Sequence, residues 1–453
     1  MSQESVEQAI ERAGGAVALL RNSPIRPHTF PVAAEFTNWR SEQSAWRDSV
    51  ALLDQSHHMT DLYIEGPDAL RLLSDLGVNS FAKFGPGRAK QYVAVNHDGQ
   101  LIGDAVLFHL EQDKFDLVGH PMVLDWVQYN LETGDYNATT ERDDNSYDRV
   151  AGPPKVYRFE VQGPNAVGLL EKVTGAPVPS VKFFHMTTFT IAGHQVRALR
   201  HGMAGQPGFE LFGPWEEGDA VRDAILAVGD EFGLVRAGAK AYSTANLESA
   251  WVPAPFPAVF SGEKMKGYRE WLSTEAMGSL GGSMDSEDVT DYYVTPYDIG
   301  YGSIVAFDHD FVGRAALEEI AKQPRRTKVT LVWNADDVAT AIGSLYRSDE
   351  LPAKFIEFPK ARYALHQSDK VLVDGQLAGI SMDVGYIANE RAMVSLATVD
   401  LAHSEPGTEV TVVWGENPNS AKPGVEAHRQ VEIRATVAPA PYVQFARGAY
   451  RDR

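Results

Sequence analysis

Cysteine is absent from the 453-residue sequence, and with it go thiol nucleophiles, disulfide staples, iron–sulfur ligation and thiolate zinc sites. Positive charge is scarce: 41 Lys and Arg stand against 61 Asp and Glu, a formal net charge of −20. That balance argues against a nucleic-acid partner held through phosphates, and any anionic ligand must find a local basic patch. No stretch approaches the ~18 uncharged apolar residues that a membrane span needs. Residues 1–15 carry acids where a secretory leader has a basic end and an apolar run, so no signal peptide is expected and the protein is expected in the cytoplasm. There is no P-loop, no Gly-x-Gly-x-x-Gly after a strand, no His-Glu-x-x-His and no Gly-x-Ser-x-Gly. Nucleotide-fold hydride transfer and serine hydrolysis lose ground accordingly. Asp308-His309-Asp310 invites a metal reading, but adjacent side chains on a strand or loop point apart, so a structural role and no metal are expected.

What is present is the composition of a soluble globular chain, 44% hydrophobic and 23% charged, long enough for roughly two to four domains. Val6, Ile10 and Ala13 keep helical spacing before Gly14-Gly15, which predicts a short opening helix. An internal echo follows: Leu62-Tyr-Ile-Glu-Gly66-Pro67-Asp-Ala-Leu-Arg-Leu-Leu73 resembles Phe159-Glu-Val-Gln-Gly163-Pro164-Asn-Ala-Val-Gly-Leu-Leu170. Each reads as a strand meeting Gly-Pro and then a helix, with Pro in the first turn. Asp98-Gly99 and Asp374-Gly375 sit between β-rich runs as hairpin turns, and residues 217–232 read as a helix stopped by Gly233. After Arg325-Arg326 the pattern turns to strands, so a mostly-β C-terminal domain is expected beside mixed α+β architecture.

Two places suggest chemistry. His57-His58 stands just before a strand whose side chains alternate, so one ring faces inward, as a core histidine or as a catalytic one. Arg200-His-Gly-Met-Ala-Gly205-Gln-Pro-Gly208-Phe209-Glu210 is a glycine-rich turn that closes on a strand delivering one carboxylate. Such a loop lets backbone approach a ligand, and a carboxylate accepts two parallel N–H bonds from an amidine-like edge; the plainer reading is a hairpin with an exposed Glu.

That loop resembles the glycine-cleavage T-protein (aminomethyltransferase) family, as do Val161-Gln-Gly-Pro-Asn-Ala166 and Thr295-Pro-Tyr-Asp-Ile-Gly-Tyr-Gly302 running on to Phe307–Leu317. Within it the chain is most similar to the tetrahydrofolate-dependent aromatic O-demethylases of the vanillate and syringate type. The resembling segments include Phe36-Thr-Asn-Trp-Arg40, Asp54-Gln-Ser-His-His-Met59, Lys182-Phe-Phe-His-Met186, Ala241-Tyr242 with Leu247-Glu-Ser249, and Tyr268-Arg-Glu-Trp-Leu272.

The resemblance implies an α+β fold of three domains in a ring around a folate channel: 1–56 with 155–235, interleaved with 57–154 and 236–325, then a C-terminal β-barrel over 326–453. It implies removal of a methyl group from a methoxylated aromatic acid, with tetrahydrofolate N5 as acceptor and no metal. Tyr242 is then the acid that supplies a proton to the departing phenolate, with His58 beside it. Gln55, His120 and Phe30 are expected to face the aromatic substrate, and Glu210, Trp251, Gln162 and Arg200 to hold the folate.

Three departures are visible. The paired Asp of T-proteins is here Ile102-Gly103-Asp104, which speaks against aminomethyl chemistry; His120 stands where the vanillate type has a carboxylate-holding Arg; and Phe30 replaces a Tyr. A dimethoxylated or halogenated ring fits a pocket changed in this way. Competing expectations are an aminomethyltransferase, an N- or S-demethylase of the same fold, and a non-catalytic folate binder. The folate-binding assembly factors of this fold resemble one another in a Lys-Gly-Cys-Tyr motif that a cysteine-free chain lacks.

Overall fold

The computed structural model describes residues 4–416 and 422–448. The last five residues of the expected third domain, 449–453, lie outside that range. Two sheets and a barrel organise the chain. The first sheet has six strands in the order Leu234–Ala237, Val50–Asp54, Val156–Gln162, Gly208–Pro214, His194–Arg200 and Met186–Ile191. Only the Leu234–Ala237 and Val50–Asp54 pair is parallel. The second has five antiparallel strands ordered Arg88–Val95, Leu101–Glu111, Lys114–Gly119, Thr60–Glu65 and Thr139–Asp143.

Strand alternation decides which side chains meet between the sheets. In Val156–Gln162, Tyr157, Phe159 and Val161 pack into an apolar core with the helices Ala166–Thr174 and Gly218–Ala227. Arg158, Glu160 and Gln162 therefore project from the opposite face. The second sheet repeats the device: Leu62, Ile64, Phe115 and Leu117 join a helix-covered core, while Asp61 and Asp116 face the other way. The two polar faces oppose each other, and Phe108 meets Phe212 edge-on at 5.3 Å between them.

The internal echo holds as strand-then-helix twice, into Ala69–Leu76 and Ala166–Thr174. Pro67 and Pro164, however, lie in the turn one residue ahead of the capping Asp68 and Asn165 rather than inside the helix. The Gly is the stricter requirement: Gly66 and Gly163 sit at φ +140° and +137°, and a Cβ would come within 2.6 Å of the Asn137 carbonyl and 2.5 Å of the Ser49 carbonyl.

The opening helix spans Val6–Ala13, capped by Ser5 in a reciprocal box with Gln8 and ended by left-handed Gly14. With Ala16–Arg21 it packs into the core of the five-stranded sheet, against Tyr268 and Leu272. This differs from the expected grouping of residues 1–56 with the first sheet, because its buried stripe, Val6 with Ala9, finds the helix Lys266–Trp271. The helix expected over 217–232 is Gly218–Ala227, followed by a 3₁₀ turn Gly229–Phe232 and left-handed Gly233. Both Asp-Gly dipeptides turn hairpins.

The C-terminal strands close a barrel in the order Arg326–Trp333, Ala392–Asp400, Gln376–Ile387, Asp369–Val373, Glu409–Trp414 and Val431–Ala438. It docks on the first units through Leu247, Ala250 and Val252 against Ile387, Val394 and Leu396, and through Arg47, which joins Glu248 and Glu390. Among the described residues no helix is long and apolar enough to cross a membrane.

Candidate active site

The polar face of Val156–Gln162 is the foundation of the site. Arg158 is 2% exposed and lies between the rings of Phe108 and Phe212, at 5.3 and 5.0 Å. Its guanidinium reaches Glu210 at 3.0 Å, Asp116 at 2.9 Å and Asp61. One cation thus serves three buried carboxyls, so burial and the nearby Asp61 push the Asp116 carboxyl well above its usual range.

Two residues along, Glu160 is fully buried and pairs in register with Glu210 on the neighbouring strand. Its carboxylate accepts from Gln55 Nε2 at 2.7 Å, Gln162 Nε2 at 2.6 Å and the Met203 backbone N–H at 2.8 Å. Gln162 in turn accepts from the Ala204 N–H at 2.7 Å, so the glycine-rich loop is tied down onto the strand. Two acceptors here have a lone pair to offer: among the described residues, Gln55 Oε1 is buried with no partner and Glu210 Oε2 faces the His201 ring at 4.0 Å. A donor-rich heterocycle edge such as a pterin's fits that set.

Above this layer stands the Tyr242–His58 pair. The hydroxyl of Tyr242, at the end of the helix Ala239–Tyr242, lies 2.8 Å from His58 Nε2. Burial, Arg158 and His57 push the His58 imidazole down to about 4, while the Gln55 backbone carbonyl favours a proton on the ring. With Nε2 turned to Tyr242, that proton sits on Nδ1 and the phenol donates to Nε2. Burial and the negative charges of Glu160 and Glu210 hold the Tyr242 hydroxyl well above its ordinary value, so it keeps its proton. Both His58 and Tyr242 are partly buried. Phe30 stands edge-on to His58 at 6.1 Å.

A second cluster forms where the five-stranded sheet meets residues 251–257. Asp104 accepts from Trp251 Nε1 at 2.8 Å, Tyr301 Oη at 2.7 Å and Gln91 Nε2, and burial raises its pKa. Beside it a cleft is lined by Gly103, Asp104, His120, Ala254 and His366. His120 caps the helix Pro121–Thr133, its Nδ1 accepting from the Met122 N–H at 3.4 Å. Burial, Arg362 and His28 push it down to about 4, so it presents a neutral N–H.

Of the expected residues, Tyr242, His58, Gln55, Phe30, Gln162 and Glu210 share one neighbourhood, and Trp251 and His120 border the adjoining one. Arg200 donates to the Val181 carbonyl at 2.7 Å, a contact that braces the neighbouring loop. His57 bonds Ser146 and edges Trp215, and His309 bonds the Ser74 and Gly77 carbonyls.

A family model described as the GCVT N-terminal domain matches residues 9–253. The chain belongs to the GCVT family. Among curated relatives of this GCVT protein, syringate O-demethylase from Sphingobium sp. (strain NBRC 103272 / SYK-6) is 47% identical, over 99% of this chain and 98% of the relative. Sesamin methylene transferase from Sinomonas sp. (strain No.22) is 31% identical over 85% and 84%. Among solved structures, glycine cleavage system aminomethyltransferase T from Bartonella henselae superposes with a TM-score of 0.62 at 18% identity, over 94% and 95% of the two chains. The expected fold, α+β units ending in a β-barrel, is therefore that of the GCVT family.

Sequence reasoning missed Arg158, Glu160, Asp104 as a buried hub, and Arg362. The first two had a signal: from Tyr157 to Gln162, in Tyr-Arg-Phe-Glu-Val-Gln, polar residues alternate with apolar ones in a strand that then needs a polar neighbour on one face. Arg362 had none.

Proposed function

We propose that this protein is a tetrahydrofolate-dependent O-demethylase of a methoxylated aromatic acid, releasing the phenol and forming 5-methyltetrahydrofolate, and that it works in the cytoplasm. The reaction class is supported by the full-length similarity to a syringate O-demethylase. The observation that carries it in the structure is the Tyr242–His58 hydrogen bond set above a layer of buried carboxylates.

Breaking an aryl ether by displacement leaves the bonding electron pair on oxygen, so the protein must align the ether and provide a proton. Bound tetrahydrofolate supplies the nucleophilic nitrogen that takes the methyl group. Glu210, with Gln55 and Gln162 bracing Glu160 beneath it, would hold the pterin edge, and Trp251 would flank it. Neutral His58 holds the Tyr242 hydroxyl at rest; in the reaction the O–H turns from His58 Nε2 to the departing phenolate oxygen and gives it the proton, and the proton that the acceptor nitrogen loses on methylation restores Tyr242. The burial that raises the Tyr242 pKa also disfavours a phenolate formed beside it, so the two pKa values rise together.

The test is a panel of vanillate, syringate and halogenated methoxybenzoates incubated with tetrahydrofolate and purified protein. At least one should lose a methyl group and yield its phenol. Retention of every methoxy group across the panel refutes the proposal.

A further inference from the structure

Arg362 lies in the irregular stretch between the helix Ala335–Gly343 and the barrel strand Asp369–Val373. It is half-buried, yet it makes no ion pair among the described residues. Its Nε and Nη2 donate to the Ala364 and Leu365 carbonyls, at 3.3 and 2.6 Å, which fixes the guanidinium plane and leaves Nη1 without an acceptor among the described residues. The acid nearest in influence, Asp383, is already taken by Lys360 and by Asn246 at 2.6 Å. A half-buried, oriented guanidinium with no ion-pair partner among the described residues can receive a carboxylate from a ligand.

The neighbours are imidazoles. His28, His120 and His366 all feel the positive charge of Arg362, and burial holds each of them below its ordinary pKa. His120 and His366 stand 6.3 Å apart across the cleft beside Asp104. From His28 a run of rings leads back to the chemistry: Phe30 at 6.4 Å, then His58 at 6.1 Å, whose partner is Tyr242. Arg362 bonds the Leu365 carbonyl, next in the chain to His366, which sets the guanidinium beside the wall of this cleft.

We propose that Arg362 anchors the carboxylate of the aromatic acid, with His120 as a neutral second donor. This rests on the O-demethylase reading and makes the barrel domain a contributor to substrate choice. It accounts for the absence of an arginine at position 120: the fixed charge is supplied from another part of the chain.

The test compares wild type, Arg362→Gln and Arg362→Lys on a methoxybenzoate that wild type turns over and on its primary amide, with thermal unfolding to verify folding. Arg362→Gln should raise KM for the acid ~10- to 100-fold, the range for losing a charge-assisted hydrogen bond. KM for the amide and for tetrahydrofolate should hold, and Arg362→Lys should recover part of the acid preference. An unchanged acid-to-amide ratio overturns the proposal. A rise in KM for tetrahydrofolate alone, abolished when tetrahydropteroate replaces it, reassigns the guanidinium to the folate's glutamate and overturns it equally. If wild type demethylates nothing, the O-demethylase reading fails. Calorimetric binding of the acid against its amide, in wild type and Arg362→Gln, then still tests the anchor: preference lost in the variant supports it and preference retained refutes it.

Discussion

Tyr242 and His58 face each other across 2.8 Å with surroundings that move their proton affinities in opposite directions, the phenol upward and the imidazole down to about 4. Between about pH 5 and pH 10 neither group changes state. The pH profile of kcat is expected to be flat there with respect to this pair; a break near an ordinary imidazole value, about 6.5, measured by initial rates, contradicts the assignment. Tyr242→Phe should lower turnover ~10²–10⁴-fold with tetrahydrofolate affinity retained, checked by single-turnover assay and fluorescence titration. Arg158 answers to stability instead. Replacing it by Met strands Asp61, Asp116 and Glu210 without their cation, and urea unfolding should show a loss of ~3–5 kcal/mol. A loss below about 1 kcal/mol, the scale of a surface pair, contradicts the network. Tyr242, His58 and Gln55 were legible as candidates because each stands in a short segment that resembles the family; Arg158 and Glu160 were not, because an alternating strand says that one face is polar but not what it faces.

At the scale of elements, the strand Val156–Gln162 supports the whole site, and its exit is fixed by Gly163. At φ +137° with the Ser49 carbonyl 2.5 Å from where a Cβ would lie, Gly163→Ala forces the strand off its neighbour. It should cost ~1–3 kcal/mol or more in urea unfolding and weaken tetrahydrofolate binding through Gln162 and the loop it holds. Wild-type stability in that variant contradicts the close approach. The Gly-Pro echo, both Asp-Gly hairpins and the opening helix were readable from local pattern. The packing of Val6 and Leu20 on the second sheet was not, since an amphipathic stripe announces a partner without naming it.

Across the whole molecule, imidazoles from distant parts of the chain converge: His58, His120 and His366 are held neutral at about 4, 4 and 3. Each folded-state value lies below the unfolded one, about 6.5, so below that pH the unfolded chain takes up protons that the native state refuses. Their stability is fully present above about 6.5 and drains away as pH falls toward 4, at ~1.4 kcal/mol per unit for each ring. Buried carboxyls raised by desolvation, such as Glu210 and Asp369, oppose the trend. The clean comparison is therefore wild type against His58→Gln by urea unfolding at several pH values, where the wild-type advantage should shrink on acidification. A constant difference means that His58 titrates normally. The family was readable from ordered motifs spread along the chain. That the charge of Arg362 is felt at His120 was not, because residues more than two hundred positions apart share no local pattern.

The most direct measurement follows the methyl group itself. With a methoxybenzoate labelled with ¹³C at its ether methyl, NMR of the reaction with tetrahydrofolate should show the label leaving the aryl ether and appearing on N5 of 5-methyltetrahydrofolate, one for each phenol formed. Label recovered as methanol or formaldehyde, or phenol released without tetrahydrofolate, would contradict direct transfer at the Tyr242–His58 site.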